Sequence, residues 1–270
     1  MLGAGSPQVG CVRSMLIIVP PSESKRPPPA SGPPLAMGDL SFPELTPMRR
    51  RAADALIETS GDLDAFERLR VRHGMAVEVA RNTRLFELPA LPVLDVYTGP
   101  LHGGLDADGL SPDAVARANE SLVVVSPLFG ALRPTDRIPP YRLGPFVTLL
   151  GIGRVDHFWR AVLPKTLADA AGEQGVIVDL RSRATLSAGQ PAGLGDRTVI
   201  LRIDQGRPGN RIGDVIAKRV RGEAARHLLE SGEDPTDQQE LADVLSDRWP
   251  IRLHAPDRRG KPWTMTLSID

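Results

Sequence analysis

Leu122-Val-Val-Val-Ser-Pro-Leu-Phe-Gly-Ala-Leu-Arg-Pro-Thr-Asp-Arg-Ile-Pro-Pro-Tyr-Arg142 joins an apolar strand to a proline-rich loop. The apolar run from Leu122 to Val125 predicts a short buried strand. The loop after it contains four prolines, which exclude a regular helix or a central strand: Pro127, Pro134, Pro139 and Pro140. We therefore expect a stiff loop at the end of a buried strand.

This loop is rich in cations. It carries Arg133, Arg137, Tyr141 and Arg142, and only Asp136 opposes them. A stiff loop that presents cations from the end of a strand is a common way to hold an anion such as phosphate. The alternative is that these arginines tie the loop to its own domain, and the sequence alone favours neither interpretation.

Two further apolar strands run into polar turns. The strand from Met15 to Val19 precedes Pro20-Pro-Ser-Glu-Ser-Lys-Arg26, and the strand from Gly175 to Leu180 precedes Arg181-Ser-Arg183. Ligands of open sheets gather beyond the carboxyl ends of parallel strands. If the three strands are parallel neighbours, one edge collects Ser22, Glu23, Lys25, Ser126, Arg133, Asp179, Arg181 and Ser182. Cations among hydroxyls favour phosphate or a nucleic-acid backbone, whereas the alternative is an ordinary solvated surface.

A second basic group lies near the C-terminus. Lys218-Arg-Val-Arg-Gly222 precedes a predicted helix over residues 222–230, which contains Arg226. Free backbone N–H groups at a helix start, beside cations, form an anion site. The alternative is a basic surface without a ligand. A second helix is predicted over residues 236–246.

The order of elements predicts an α/β or mixed α+β fold in one compact domain. Strands are also predicted for Thr198 to Ile203 paired with Arg211 to Ile216, and for 251–253 and 263–269. We expect residues 1–14 to be a disordered extension and Met15 to be the true start, so that the domain covers residues 15–270.

Composition excludes several classes of protein. Lysine and arginine total 33 and so do aspartate and glutamate, so any case for nucleic acid rests on local patches. One cysteine excludes an internal disulfide and favours a reducing cytosol. No apolar run approaches the ~20 residues of a membrane span. The five histidines lack metal-ligand spacing, and P-loop and nucleophile-elbow motifs are absent. We therefore expect no metal, no cofactor and no membrane.

Several segments together resemble the peroxide stress protein YaaA family, also called UPF0246. The most specific segment is Ser126 to Gly144, and Lys218-x-x-Arg-Gly222 with Arg226 is similar to a family signature. Three other segments match: Met15-Leu-Ile-Ile-Val-Pro-Pro-Ser-Glu-Ser-Lys25, Tyr97-Thr-Gly-Pro-Leu-His-Gly-Gly-Leu-Asp106 and Val178-Asp-Leu-Arg-Ser182. The resemblance covers the chain from Met15 nearly to Asp270.

The resemblance implies a cytoplasmic protein that limits free iron and oxidative DNA damage under peroxide. It also implies a single mixed α/β body with a positive cleft, a helix-hairpin-helix element and non-sequence-specific binding to duplex or branched DNA. The helix pair 222–230 and 236–246 is the candidate for that element. Two departures are that Glu233 and Asp234 occupy the hairpin, and that His102 replaces a family tyrosine.

Two functional hypotheses follow, and a plain structural or partner-binding role is the third alternative. The first is a DNA-binding protein, monomeric and without catalytic activity, that contacts phosphates through Lys25, Arg133, Arg137, Tyr141, Arg142, Arg181, Lys218, Arg219, Arg221, Gly222 and Arg226. The second is an enzyme acting on a nucleotide or DNA base. Its reacting groups would lie near Ser22, Glu23, Asp179 and Ser182, and the arginine loop, which runs from Ser126 to Arg142, would hold phosphate.

Overall fold

The computed structural model describes residues 15–182, 185–205 and 212–269, and a seven-stranded sheet lies at its centre. Its strands are β1 (Leu16–Val19), β2 (Leu122–Ser126), β3 (Gly130–Leu132), β4 (Ile177–Asp179), β5 (Thr198–Gln205), β6 (Ile251–His254) and β7 (Trp263–Ile269). Their order across the sheet is β6-β7-β5-β4-β1-β2-β3.

The middle of the sheet is parallel and its two margins are antiparallel. β1 pairs in parallel with β2 and with β4, so that Ile18 lies opposite Val123 on one side and Asp179 on the other. β5 and β7 extend the parallel part, whereas β3 and β6 are antiparallel edge strands. All residues of β1, β2 and β4 are buried, as expected for parallel strands covered on both faces. The predicted parallel arrangement of the three strands is confirmed.

Helices make up the rest of the regular structure. The described residues contain α1 (Thr46–Gly61), α2 (Ala65–Arg68), α3 (Ala76–Asn82), α4 (Val93–Val96), α5 (Pro100–Leu105), α6 (Pro112–Ser121), α7 (Val155–Arg160), α8 (Leu163–Ala171), α9 (Asp214–Ser231) and α10 (Gln238–Ser246). Two-residue strands pair Leu91–Pro92 with Arg137–Ile138 and Thr148–Leu149 with Gly153–Arg154. The fold is thus the predicted mixed α/β class in a single domain.

Two elements near the C-terminus differ from the prediction. The predicted strand ending at Ile216 is wrong, because α9 begins at Asp214. The predicted helix start at Gly222 is wrong for the same reason: Gly222 lies in the middle of α9, where its N–H belongs to the helix. An anion site made by free N–H groups at Gly222 is therefore excluded. The predicted disordered extension, residues 1–14, lies outside the described residues, and so does the segment 206–211, which includes the start of the predicted strand from Arg211.

Gly222 is needed at this position because α9 and α5 touch through their backbones. A Cβ on Gly222 would lie 1.9 Å from the carbonyl oxygen of Leu101 and 2.7 Å from the amide nitrogen of Leu105. On the other helix, a Cβ on Gly104 would lie 2.1 Å from the carbonyl oxygen of Arg219. Only glycine permits such a close approach of two backbones. α5 and α9 are therefore fixed against each other.

No helix in the described ranges has the length and apolar content to cross a bilayer.

We expect Gly222→Ala to destabilise the protein by about 1–3 kcal/mol or more, because the added methyl group overpacks a backbone contact that cannot rearrange locally. Urea unfolding followed by circular dichroism measures the change. Gly103→Ala is the matched control in α5, because a Cβ there meets no atom within 4 Å. That control should leave stability unchanged or raise it by up to about 1 kcal/mol. Equal effects of the two substitutions would contradict the packing argument.

Candidate functional site

Two clefts open where β1, β2 and β4 end. The lysine cleft, about 310 Å³ in volume, is lined by Lys25, Glu78, Arg81, Tyr141 and Arg142 among others. The α9 cleft, about 460 Å³ in volume, is lined among others by Ser22, His102, Phe146, Ser182, Lys218 and Arg221. Glu23 and Ser24 line both clefts, so the turn that follows β1 separates them.

Lys25 is held in the lysine cleft by backbone and aromatic contacts. Its backbone forms an antiparallel bridge with Tyr97, and its Nζ donates to the carbonyl oxygen of Ser22 at 2.8 Å. The same Nζ lies 4.2 Å from the ring centroid of Tyr141 and 5.4 Å from that of Tyr97. Among the described residues no carboxylate forms an ion pair with it. Lys25 is therefore a half-buried amine that rests against aromatic rings and has no direct counter-charge.

The electrostatic surroundings disfavour the charged form of this amine. Burial and, to a smaller extent, the Arg142 guanidinium together lower the pKa of Lys25 from 10.5 to about 7, although Glu23 partly opposes both effects. Arg142 Nη2 lies 3.3 Å from Glu23 Oε2, in an ion pair whose carboxylate side is solvent-exposed. Near neutral pH, Lys25 is therefore present in both protonation states.

Two tyrosine hydroxyls form a buried chain beneath Lys25. The hydroxyl of Tyr141 lies 2.9 Å from that of Tyr97 and 2.8 Å from Ser126 Oγ. Burial raises the pKa of Tyr97 to about 12 and holds that of Tyr141 well above its ordinary value. Ser126 Oγ also accepts from the backbone N–H groups of Leu128 and Phe129. The predicted phosphate donor Tyr141 thus uses its hydroxyl internally and presents its ring face to Lys25.

His102 is a buried residue at the wall of the α9 cleft, beside the tyrosine chain. Its ring lies 5.1 Å from the Tyr97 ring, and its Nε2 is 3.1 Å from the carbonyl oxygen of Pro20. Burial, together with the nearby Lys25, lowers the pKa of His102 to about 4. A neutral imidazole then donates from Nε2, and its buried Nδ1 has no partner among the described residues. His102 lines the α9 cleft with an acceptor nitrogen unused.

Asp179 and Arg181 form a fully buried ion pair at the end of β4. Arg181 Nε and Nη2 donate to the two carboxylate oxygens of Asp179 at 2.9 and 2.7 Å, and the backbone N–H of Arg181 adds a third bond. Both side chains have no exposed surface. The Asp179 carboxylate is therefore occupied by Arg181. The Arg181 guanidinium keeps one nitrogen, Nη1, without a partner among the described residues, but this nitrogen is buried and does not reach the surface where a phosphate contact was predicted.

The arginine loop separates into two parts. β3 turns back against β2 and carries Arg133 to the end of the sheet where β2 begins. There its Nη1 donates to the carbonyl oxygens of Glu120 and Leu122. Arg137 Nη2 donates to Ala90 O at 2.8 Å. The expectation that Arg133 lies at the carboxyl ends of the strands is wrong. Arg133 and Arg137 both tie the loop to its own domain, which is the alternative given in the sequence analysis. Only Arg142 of the loop arginines lines a cleft.

The cations of α9 fall into two groups, those that line the α9 cleft and those that pair elsewhere. Lys218, paired with Asp214, and Arg221 line the α9 cleft. Arg219 pairs with Glu223 at 3.2 Å on the helix surface. Arg226 is occupied by Asp106, which accepts at 2.8 Å, and by neighbouring backbone carbonyl oxygens. The structure thus brings two of the four predicted α9 cations to the cleft.

Of the predicted catalytic residues, Ser22 and Ser182 line the α9 cleft, and Glu23 stands between the two clefts.

Sequence reasoning missed Tyr97 and Arg81, because α3 and the turn before α5 are far from Lys25 along the chain. One signal was available: the chain has only two tyrosines, and they hydrogen-bond to each other beside Lys25. In the described ranges, three or more His, Cys, Asp or Glu side chains nowhere gather as they would around a metal ion.

Comparison with known proteins gives a consistent result. The family model described as peroxide stress protein YaaA matches residues 15–251. A UPF0246 protein of Streptomyces coelicolor is 38% identical over 259 residues, covering 94% of this chain and 98% of the relative. A UPF0246 protein of Corynebacterium efficiens is 36% identical, covering 94% of this chain and 100% of the relative. One from Cereibacter sphaeroides is 31% identical, covering 77% of this chain and 89% of the relative.

We expect the stability of the wild type, measured relative to Lys25→Met, to rise as the pH increases from about 7 towards 10.5. In this window the unfolded chain still binds the Lys25 proton whereas the folded protein has released it, so that higher pH favours folding. Below pH 7 both states bind the proton, and the relative stability should be flat. Thermal unfolding across the pH series measures the difference, and Lys165→Met is the exposed control. A flat difference throughout would contradict the desolvated amine.

We expect Asp179→Asn to cost roughly 3–5 kcal/mol, because it leaves the buried Arg181 guanidinium without a counter-charge. Denaturant unfolding measures the loss. The double substitution Asp179→Leu with Arg181→Met removes both charges and should recover much of the stability. Asp169→Asn breaks the exposed Lys165–Asp169 pair and should cost at most about 1 kcal/mol. A double variant no more stable than Asp179→Asn would show that the pair does more than balance charge.

Proposed function

The chain belongs to the peroxide stress protein YaaA family, and we propose that it is a cytoplasmic DNA-binding protein that contacts the phosphate backbone at the two clefts. In this role it protects DNA from iron-dependent oxidative damage under peroxide stress. The DNA is duplex or branched and is recognised without regard to sequence, by a monomer.

The charge that lines the clefts supports this proposal. Two carboxylates, Glu23 and Glu78, face four cations along the adjoining walls, together with the partly protonated Lys25. The four cations are Arg81, Arg142, Lys218 and Arg221. The whole chain has a formal net charge of zero, so this excess of cations is local. Phosphate contacts from lysine and arginine supply sequence-independent affinity for DNA.

The helix pair α9 and α10 is the helix-hairpin-helix element of this proposal. Glu233 and Asp234 lie in the loop between these helices, and the carboxylate of Asp234 accepts from the backbone N–H of Met15. An acidic loop repels phosphate, so the contacts are assigned to Lys218 and Arg221 on the cleft side of α9.

An enzyme that acts on a nucleotide or DNA base is the second candidate. The observation that favours it is the desolvated Lys25 amine between two tyrosine rings. The carboxylates first considered for this role support it less, because Asp179 is buried in its ion pair and Glu23 is exposed beside Arg142.

We expect binding to a duplex and to a four-way junction to weaken with salt, with a slope of about −0.9 in log K against log salt per phosphate contacted. Lys218→Gln should reduce the magnitude of this slope by about one, equally for both DNA forms. Fluorescence anisotropy at several salt concentrations measures both quantities. An affinity that does not change with salt, or no binding at low salt, would refute the proposal.

Lys165→Gln is the matched control. Lys165 and Lys218 each pair with an aspartate four residues away on a helix, so both substitutions remove one charge and release one carboxylate. Only Lys218 lines a cleft. If the two variants lose the same amount of slope, the contact is with general surface charge and the clefts are not the binding site.

A further inference from the structure

Lys25 combines three properties that phosphate binding alone does not require. It is half-buried with its amine against the Tyr141 ring, it lacks a carboxylate ion pair among the described residues, and it lies at the wall of a cleft. A lysine that serves only as a phosphate contact is best kept fully charged. These properties are instead those of an amine prepared for nucleophilic attack.

We propose that Lys25 forms an imine with the aldehyde of a phosphate-bearing sugar bound in the lysine cleft. This step goes beyond backbone binding and makes the cleft a covalent site. The aldehyde is either that of a free sugar phosphate or the C1′ aldehyde of an abasic site in DNA. The second source rests on the proposed function, whereas the first does not.

The surroundings of Nζ suit this chemistry before and after the reaction. Nζ donates one hydrogen bond, to the carbonyl oxygen of Ser22, which orients the amine. The Tyr141 ring face, 4.2 Å away, stabilises a cation at this point. A protonated imine carries the same positive charge as the lysine that it replaces, so the ring supports the product as well.

The reaction balances without a further reagent. The neutral amine attacks the carbonyl carbon, a C–N bond forms, and the proton lost from nitrogen passes to oxygen to give a carbinolamine. Loss of the hydroxyl group with the second nitrogen proton, as water, leaves the imine. One proton from solvent then converts the imine to the iminium ion. No change of oxidation state occurs in these steps.

Two arginines can hold the phosphate of such a substrate. Arg142 and Arg81 line the lysine cleft with Lys25 and approach it from different elements, the proline-rich loop and α3. Guanidinium groups bind phosphate oxygens in pairs of hydrogen bonds. The cleft volume of about 310 Å³ is at the lower end for ligand sites and fits a pentose phosphate.

The amine is reactive at neutral pH because of the groups that face it. With a pKa of about 7, close to half of the Lys25 amines are neutral at pH 7, against roughly one in 10³ for an ordinary lysine. Arg142 holds the Lys25 pKa down, whereas Glu23 acts in the opposite direction. The other titratable and charged groups around the amine and its cleft are Glu78, Arg81, Tyr97, His102 and Tyr141.

Reductive trapping tests the proposal. The full-length protein is incubated with 2-deoxyribose 5-phosphate and sodium cyanoborohydride, which reduces an iminium ion to a stable secondary amine. Intact-mass spectrometry should show one adduct, and peptide mapping should place it at Lys25. Lys25→Gln should lose the adduct and Lys165→Gln should keep it. Adducts spread over several lysines, or none at Lys25, would overturn the proposal even if Lys25→Gln does not fold.

The pH dependence separates a prepared nucleophile from an accessible surface lysine. The wild-type trapping rate should rise through about pH 7 and then level off. Arg142→Gln should move the midpoint to higher pH, because it removes a cation that disfavours the charged amine. A rate that keeps rising towards pH 10, as for an ordinary lysine, would overturn the assignment.

Unphosphorylated 2-deoxyribose should react much more slowly than the phosphorylated sugar if Arg81 and Arg142 hold the phosphate. An equal rate would remove these arginines from the proposal.

An oligonucleotide with one abasic site identifies the source of the aldehyde. Crosslinking of this DNA at Lys25, at concentrations far below those needed for free sugar phosphate, assigns the DNA source. Trapping of the free sugar phosphate alone assigns the small molecule, and can succeed even if the salt titration shows no DNA binding. Salt-dependent DNA binding without trapping of either probe would leave the proposed function intact and refute the imine.

Discussion

The parallel pairing of β1 with both β2 and β4 is the constraint on which the remaining structure depends. A parallel neighbour can be reached only through a crossover. Residues 20–121 must therefore run from the carboxyl end of β1 back to the end of the sheet where β1 begins, because β2 starts there as well. That crossover contains α1 to α6, supplies Arg81 and His102 to the clefts, and places Tyr97 beside Lys25. The three turns after these strands meet because their carboxyl ends meet.

Buried charge follows from the same arrangement. Arg49 on α1 is fully buried and donates to the carbonyl oxygens of Phe129 and Ala131, which fixes the turn between β2 and β3. At the end of β4, Arg181 and Asp179 neutralise each other beside β1. Both arginines make their contacts inside the scaffold, so the cations that line the clefts are other residues. Electrostatic roles therefore depend on burial as much as on residue type.

The fold class, the three central strands and their common edge could be predicted, because long apolar runs that end in polar turns are a local signal. The start of α9 could not, because glycine normally weakens a helix and the reason for Gly222 is the backbone of α5. The position of Arg133 depended on β3 folding back, which the proline pattern did not reveal. The Lys25 environment required Tyr97 and Tyr141 to meet, and no local pattern encodes that contact. Local signals predicted the scaffold, whereas long-range contacts determined the site.

The glycine contact between α5 and α9 has a consequence for recognition. α5 carries His102 and α9 carries Lys218 and Arg221, so one wall of the α9 cleft consists of two helices in backbone contact. At Gly104 and Gly222 no side chain separates the two backbones, so a shift of one helix at these positions requires a shift of the other. The wall is preorganised: the entropy of ordering it is lost on folding and not on association. For any ligand of this cleft the wall is a finished surface, so the ligand has to match the dimensions of the wall and gains little from adjustment by the protein.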